Sequence, residues 1–269
     1  DAWSSCPLRV ARLTHMEIVS TIDWTRGILK GAKYAPDGSA ILTAGDANHI
    51  LLLRHTHHHT HNQTAHTTRS TQQLPPPHTA HSFDIVLNIS EPVRDYAWYP
   101  LMRRDTPLSC AFIAAARDQP LHLWDASAAS LRASYAAHDH HDNLVSAASV
   151  CFEPTGHRIY SGYERAIRVF DVTRPGRECT LRPTSETRKD RGGQRGLISC
   201  LDFARDGSGL FAAGSFSGAT GLYVENDHRL VALLGGHDGG LTPVTFSADG
   251  PHLFTAARRD SSSNCWDIT

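Results

Sequence analysis

Short apolar runs set off by turn-forming residues dominate the chain, and no stretch sustains the 3.6-residue apolar period of a helix. Ile41-Leu-Thr43, Leu51-Leu-Leu53 and Leu210-Phe-Ala-Ala213 have the length of strands. Asp-Gly pairs and prolines stand between such runs, which predicts antiparallel hairpins. One signature recurs: an aromatic residue followed by a Pro- or Asp-Gly turn. It is found at Tyr34-Ala-Pro-Asp-Gly38, Phe152-Glu-Pro-Thr-Gly156, Phe203-Ala-Arg-Asp-Gly207 and Phe246-Ser-Ala-Asp-Gly250, with a weaker copy at Tyr96-Ala-Trp-Tyr-Pro100. From Tyr34 the aromatic anchors are spaced by 64 (to Trp98), 54, 51 and 43 residues.

The shortest spacing matches the period of roughly 40–45 residues seen in WD repeats, and the longer ones leave room for insertions. A second landmark follows each anchor: Leu51-Leu-Leu-Arg54, Leu121-His-Leu-Trp-Asp125, Ile167-Arg-Val-Phe-Asp171, Leu222-Tyr-Val-Glu225 and Cys265-Trp-Asp267. Each repeat therefore reads as four strands. The anchor ends the first, the turn leads into the second, the landmark ends the third, and a variable fourth forms the outer edge. The expected fold is an all-β WD-repeat β-propeller with five recognisable blades. Residues 1–269 count as one domain, expected to be part of a larger propeller of about seven blades, since such folds run from 4 to 8. After Trp266-Asp-Ile-Thr269 no fourth strand is left for the last blade, and residues 8–22 are a candidate outer strand for it. In that blade His237, Thr255, Asp260 and Trp266 match the hydrogen-bonded tetrad of WD repeats, a structural role in which polar groups satisfy one another.

The 269 residues carry 26 Lys and Arg against 27 Asp and Glu, a formal charge of −1. Any affinity for nucleic acid must therefore come from local patches. No apolar run approaches the roughly 18 residues of a membrane helix, and no secretory leader is visible. The six cysteines lack Cys-x-x-Cys spacing, so they read as buried free thiols in a reducing compartment. Residues 55–82, with His55-Thr-His-His-His-Thr-His61 and Leu74-Pro-Pro-Pro77, are expected to be a disordered insertion between the third and fourth strands of the first blade. The sequence offers no nucleophile elbow, phosphate-binding glycine loop or paired-carboxylate motif, so no catalytic residue, cofactor or metal site is assigned. His138-Asp-His-His-Asp142 reads as a solvated or ligand-facing inter-blade loop.

Several segments carry a closer likeness: Gly27-Ile-Leu-Lys-Gly-Ala-Lys-Tyr34, Asp95-Tyr-Ala-Trp-Tyr-Pro-Leu-Met102, Arg174-Pro-Gly-Arg-Glu-Cys179, Gly196-Leu-Ile-Ser-Cys200 and Leu233-Leu-Gly-Gly-His-Asp-Gly-Gly-Leu-Thr242. Of these, Asp95-Tyr-Ala-Trp-Tyr99 and Arg174–Cys179 lie outside the generic repeat. On these segments the chain resembles the telomerase Cajal body WD-repeat family from about residue 20 onward, apart from 55–82. The resemblance implies a non-enzymatic scaffold that binds box H/ACA small Cajal-body RNA, including telomerase RNA, and directs it to Cajal bodies in the nucleus. It also implies H/ACA proteins such as dyskerin as partners and a chaperonin that assists folding. The alternative is a generic WD-repeat scaffold joining proteins, because propellers host many functions.

Propeller geometry puts the turns between second and third strands on the same face as the inter-blade linkers. That face is expected to carry Arg117, Arg165, Arg258 and Arg259, with Arg188, Lys189, Arg191 and Arg195 from the linker before the fourth blade. Arginine suits phosphate, and Tyr163 and Phe216 stand where unpaired bases would stack.

Overall fold

The computed structural model describes residues 28–46, 48–54, 84–186 and 192–268, and the backbone of Thr21–Ile22 and Ala80–His81. Blade 1 comprises Leu29–Tyr34, Ala40–Gly45, His49–Arg54 and Ile85–Asn88. Blade 2 comprises Val93–Trp98, Ala111–Ala116, Leu121–Asp125 and Ser130–Tyr135. Ser149–Phe152, Arg158–Tyr163, Ala166–Asp171 and Thr180–Pro183 form blade 3. Ile198–Phe203, Leu210–Ser215, Thr220–Val224 and Leu230–Leu234 form blade 4. Blade 5 has three strands among the described residues: Leu241–Phe246, His252–Ala257 and Asn264–Asp267. Strands are consecutive in every blade except blade 1, where Ala80–His81 comes between the third and fourth and pairs elsewhere. The sole helix among the described residues is a 3-10 turn, Pro107–Ser109.

The two sequence landmarks mark the strand ends. Tyr34, Trp98, Phe152, Phe203 and Phe246 each close a first strand, and the second landmark closes each third strand to within one residue. The turn after the anchor is tied by the Gly156 N–H donating to the Glu153 carbonyl (3.0 Å) in blade 3 and by Gly250 to Ser247 (3.1 Å) in blade 5. Both glycines have positive φ, 77° and 95°, which a side chain would resist.

First strands of successive blades pack against each other, so they line the axis and the fourth strands lie outside. Successive side chains of a strand point to opposite faces, and each face feeds a different core. Phe112 and Ala114 pack with Leu42, Ile50 and Trp98 between blades 1 and 2. Their neighbours Ile113 and Ala115 pack with Val150, Phe152 and Phe170 between blades 2 and 3. In the same way Ile159 serves that core while Tyr160 joins Phe203 and Phe211 between blades 3 and 4. Ala212 turns to Phe246 and Leu253 between blades 4 and 5. A strand buried on both faces reads as a continuous apolar run, which is why Ala111–Ala116 has no polar residue.

Polar ties cross the same seams. Ser149 Oγ donates to the Ile198 carbonyl (2.9 Å) and Ser199 Oγ to that of Leu241 (2.6 Å). Among the described residues no strand of blade 5 packs on blade 1 as neighbouring blades do, and the first strand of blade 1 is exposed along its length. The expectation that residues 8–22 supply the outer strand of the last blade is not met where it can be seen: Thr21–Ile22 pair in parallel with Ala80–His81 instead. Residues 8–20, and all of 55–82 except Ala80–His81, lie outside the described residues. Cys110, Cys151, Cys200 and Cys265 are buried free thiols, and Cys179 is half-buried.

Candidate nucleic-acid interface

The turns between second and third strands differ in length but share one backbone feature. Each holds one residue in the left-handed region: Asn48 (φ 60°), Asp118 (51°), Arg165 (53°), Gly218 (85°) and Arg259 (73°). The turns are bonded to the inter-blade linkers. Ile89 donates to the carbonyl of Asn48 (2.8 Å), Arg117 to Pro92 (3.0 Å), Arg165 to Gly196 (2.9 Å), Phe216 to Leu197 (2.9 Å) and Arg258 to Gly240 (3.0 Å). Turns and linkers thus share a rim on one face.

On this rim the side chains of Arg195, Arg258 and Arg259 are exposed, with no ion pair to a described residue. Arg117 is exposed but paired with Asp118 (3.3 Å). Arg165 is partly buried, and its Nε has no hydrogen-bond partner. Arg188, Lys189 and Arg191 lie outside the described residues. Asp118, Glu164 and Asp238 share the rim, so its positive character is local, centred on blades 4 and 5. Sequence reasoning missed Arg94, the second residue of the inner strand of blade 2, which lies beside the rim and donates to the Ala147 carbonyl (3.4 Å).

The two aromatic candidates part company. Tyr163 is 7% exposed, lies beneath the Arg168 guanidinium (5.2 Å to the ring centre), and burial pushes its phenol up to about 12. It offers no free face, and the stacking expectation fails there. Phe216 is 45% exposed, and the Arg258 guanidinium lies over its ring at 5.5 Å. Beside them opens a pocket of about 760 Å³ lined by Phe216, Asp238, Gly239, Gly240, Arg258 and Arg259, among others.

The linker into blade 4 ends differently from its basic reading. Gln194 is fully buried. Its Nε2 donates to the carbonyls of Ala213 (2.5 Å) and Ala219 (3.0 Å), and its Oε1 accepts from the Tyr223 hydroxyl (2.9 Å). This anchor leaves the next residue, Arg195, on the outside. In blade 5 the comparable position belongs to the tetrad. His237 Nδ1–H donates to Asp260 (2.6 Å), the Thr255 hydroxyl donates to His237 Nε2 (2.8 Å), and Trp266 Nε1–H donates to the Thr255 oxygen (3.0 Å). The four residues satisfy one another, and the tetrad holds Arg258 and Arg259 between two of its members.

The two segments outside the repeat prove to be fasteners. Asp95 accepts from Lys33 of blade 1 (2.9 Å) and from the Val150 amide of blade 3 (2.8 Å), while Trp98 Nε1–H donates to the Lys33 carbonyl (2.9 Å). Gly176, inside Arg174–Cys179, donates to the Ser134 carbonyl (2.9 Å) and accepts from Ala136 (2.8 Å). Arg177 pairs with Asp142 and donates to His138 Nδ1 (3.1 Å). The His138–Asp142 loop is therefore a partner of blade 3.

Telomerase Cajal body protein 1 of Rattus norvegicus is 38% identical to the chain over 253 residues, covering 91% of the chain and 43% of that protein. The Homo sapiens protein of the same name is 38% identical over 249 residues (89% and 41%). The chain belongs to the telomerase Cajal body protein family. A more distant member, the Telomerase Cajal body protein 1 homolog of Drosophila melanogaster, is 30% identical over 251 residues (89% and 42%). The chain thus spans less than half the length of these family members. No protein-family model matches it.

Proposed function

We propose that the chain is a non-enzymatic RNA-binding part of a telomerase- and Cajal-body-associated protein, acting in the nucleus on box H/ACA RNA. The observation that carries this reading is the Arg258–Phe216 stack standing with unpaired Arg195 and Arg259 on one rim. Guanidinium groups take phosphates, and an exposed ring takes unpaired bases, the combination by which proteins hold RNA loops. The names of the relatives, which couple telomerase with Cajal bodies, support the same reading. Dyskerin-type H/ACA proteins, and a chaperonin during folding, complete the proposed set of partners.

The test is a titration of the chain with a box H/ACA hairpin RNA across a range of salt concentrations. With several phosphates neutralised, log K falls against log salt with a slope of about −0.7 per contact on single strands. Absent or salt-independent binding removes the proposal and leaves the protein-scaffold alternative.

A further inference from the structure

The pocket beside Phe216 is more than a basic patch, because three of its features meet at the scale of one nucleobase. The first is a platform. The Arg258 guanidinium covers one face of the Phe216 ring, and a planar cation on an aromatic ring is a surface on which a base stacks. The second is rigidity. A methyl on Gly240 would stand 2.9 Å from the Phe216 ring, and one on Gly239 would run into the Arg258 carbonyl. These two glycines let the linker lie flush behind the platform, fixing it before any ligand arrives. The third is a free acceptor. Asp260 is held by His237 and by the Gly239 amide (3.3 Å), whereas the exposed Asp238 has no hydrogen-bond partner among the described residues. A carboxylate placed among cations is out of keeping with simple phosphate capture and points to a base edge rich in N–H groups.

We propose that this pocket takes one unpaired guanine. The ring stacks on the Arg258–Phe216 platform, the Watson–Crick edge lies on Asp238, and Arg259 holds the adjoining phosphate. Guanine alone offers two adjacent N–H donors, N1–H and the 2-amino group, to one carboxylate. Adenine and cytosine set an acceptor nitrogen next to their amine, and uracil flanks its single N–H with carbonyls. The pocket volume of about 760 Å³ leaves room for a base and its ribose. The inference rests on the RNA-binding reading above.

The experiment measures fluorescence anisotropy of the full chain with short oligouridine RNAs carrying a central guanosine, inosine or adenosine. Inosine lacks only the 2-amino group. The expected result is about tenfold tighter binding of the guanosine RNA, in line with the discrimination given by one good bidentate pair. Asp238→Asn abolishes that preference, so that the guanosine and adenosine RNAs bind alike. Phe216→Leu, which keeps apolar bulk at a half-exposed site, weakens the guanosine RNA by about tenfold through lost stacking. Equal affinity for the three RNAs, or a guanosine preference that survives both substitutions, overturns the inference and leaves the RNA-binding reading standing. No binding to any RNA at low salt overturns both.

Discussion

Glu225 of blade 4 hydrogen-bonds Glu153 of blade 3, so two carboxyl groups from different blades meet at one seam. The bond to Glu153, with burial and mutual repulsion, pushes Glu225 up to about 7. Burial alone would raise Glu153 too, but hydrogen bonds from Glu225 and Thr155 hold it below its usual range. Arg158 and Arg182 face the pair. Below about 7 Glu225 keeps its proton and the seam holds one negative charge instead of two.

The folded state therefore binds the Glu225 proton more tightly than the unfolded chain, whose glutamates titrate near about 4.3. The stabilisation is complete below that value and is lost as pH rises through about 7. The melting temperature should fall between mildly acid and mildly alkaline pH. Glu225→Gln, a permanent neutral donor, should flatten the fall. Parallel slopes in the two proteins would show that the pair does not couple to folding.

Asp95 should matter more than the ion pair it makes. The Lys33 side chain is 46% exposed, and such pairs contribute less than about 1 kcal/mol. Asp95→Ala, however, orphans the buried Val150 amide at a cost of about 1–3 kcal/mol. Denaturant titration should rank Asp95→Ala well below Lys33→Met in stability, with Asp95→Asn between them because it keeps an acceptor.

Thr255 is the hub of the tetrad, donating to His237 and accepting from Trp266 while 1% exposed. Thr255→Val keeps the shape and removes both bonds, so a loss of about 1–3 kcal/mol is expected. Chemical denaturation checks the figure. Because the loss is one of fold stability, RNA affinity measured well below the melting point should be unchanged.

Strand ends were legible because one short segment carries both the packing aromatic and the turn chemistry. Phe203-Ala-Arg-Asp-Gly207 needs no distant partner to be read. The Glu153–Glu225 pair had no such signal, since its members sit in separate repeats and only the stacking of blades brings them together. Gln194 was hidden for a related reason. Its buried anchoring depends on Tyr223 and two carbonyls of the next blade, and a run of basic neighbours made it look solvated. Tyr163 and Phe216 flank equivalent turns, yet their exposure differs. Tyr163 still belongs to its strand and points into a core, while Phe216 lies one residue past the strand end and escapes it.

Charge reversal at Arg258 and Arg259 should separate binding from folding. Both side chains are exposed, so Arg258→Glu with Arg259→Glu should leave the unfolding free energy within about 0.5 kcal/mol of the parent. RNA affinity should drop by at least about tenfold, with a shallower salt slope by about 1 to 2. Unchanged affinity would move the interface off blade 5.

Arg165 and Arg259 occupy left-handed corners that glycine fills in blade 4. A non-glycine residue there costs about 1–2 kcal/mol, while glycine gives part of that back through the looser unfolded chain. Arg259→Gly should therefore melt no lower than the parent while holding RNA less tightly. A directed-evolution screen rewarding heat resistance alone would drift toward glycine or asparagine at these corners, and its winners would be sturdier proteins with a poorer grip.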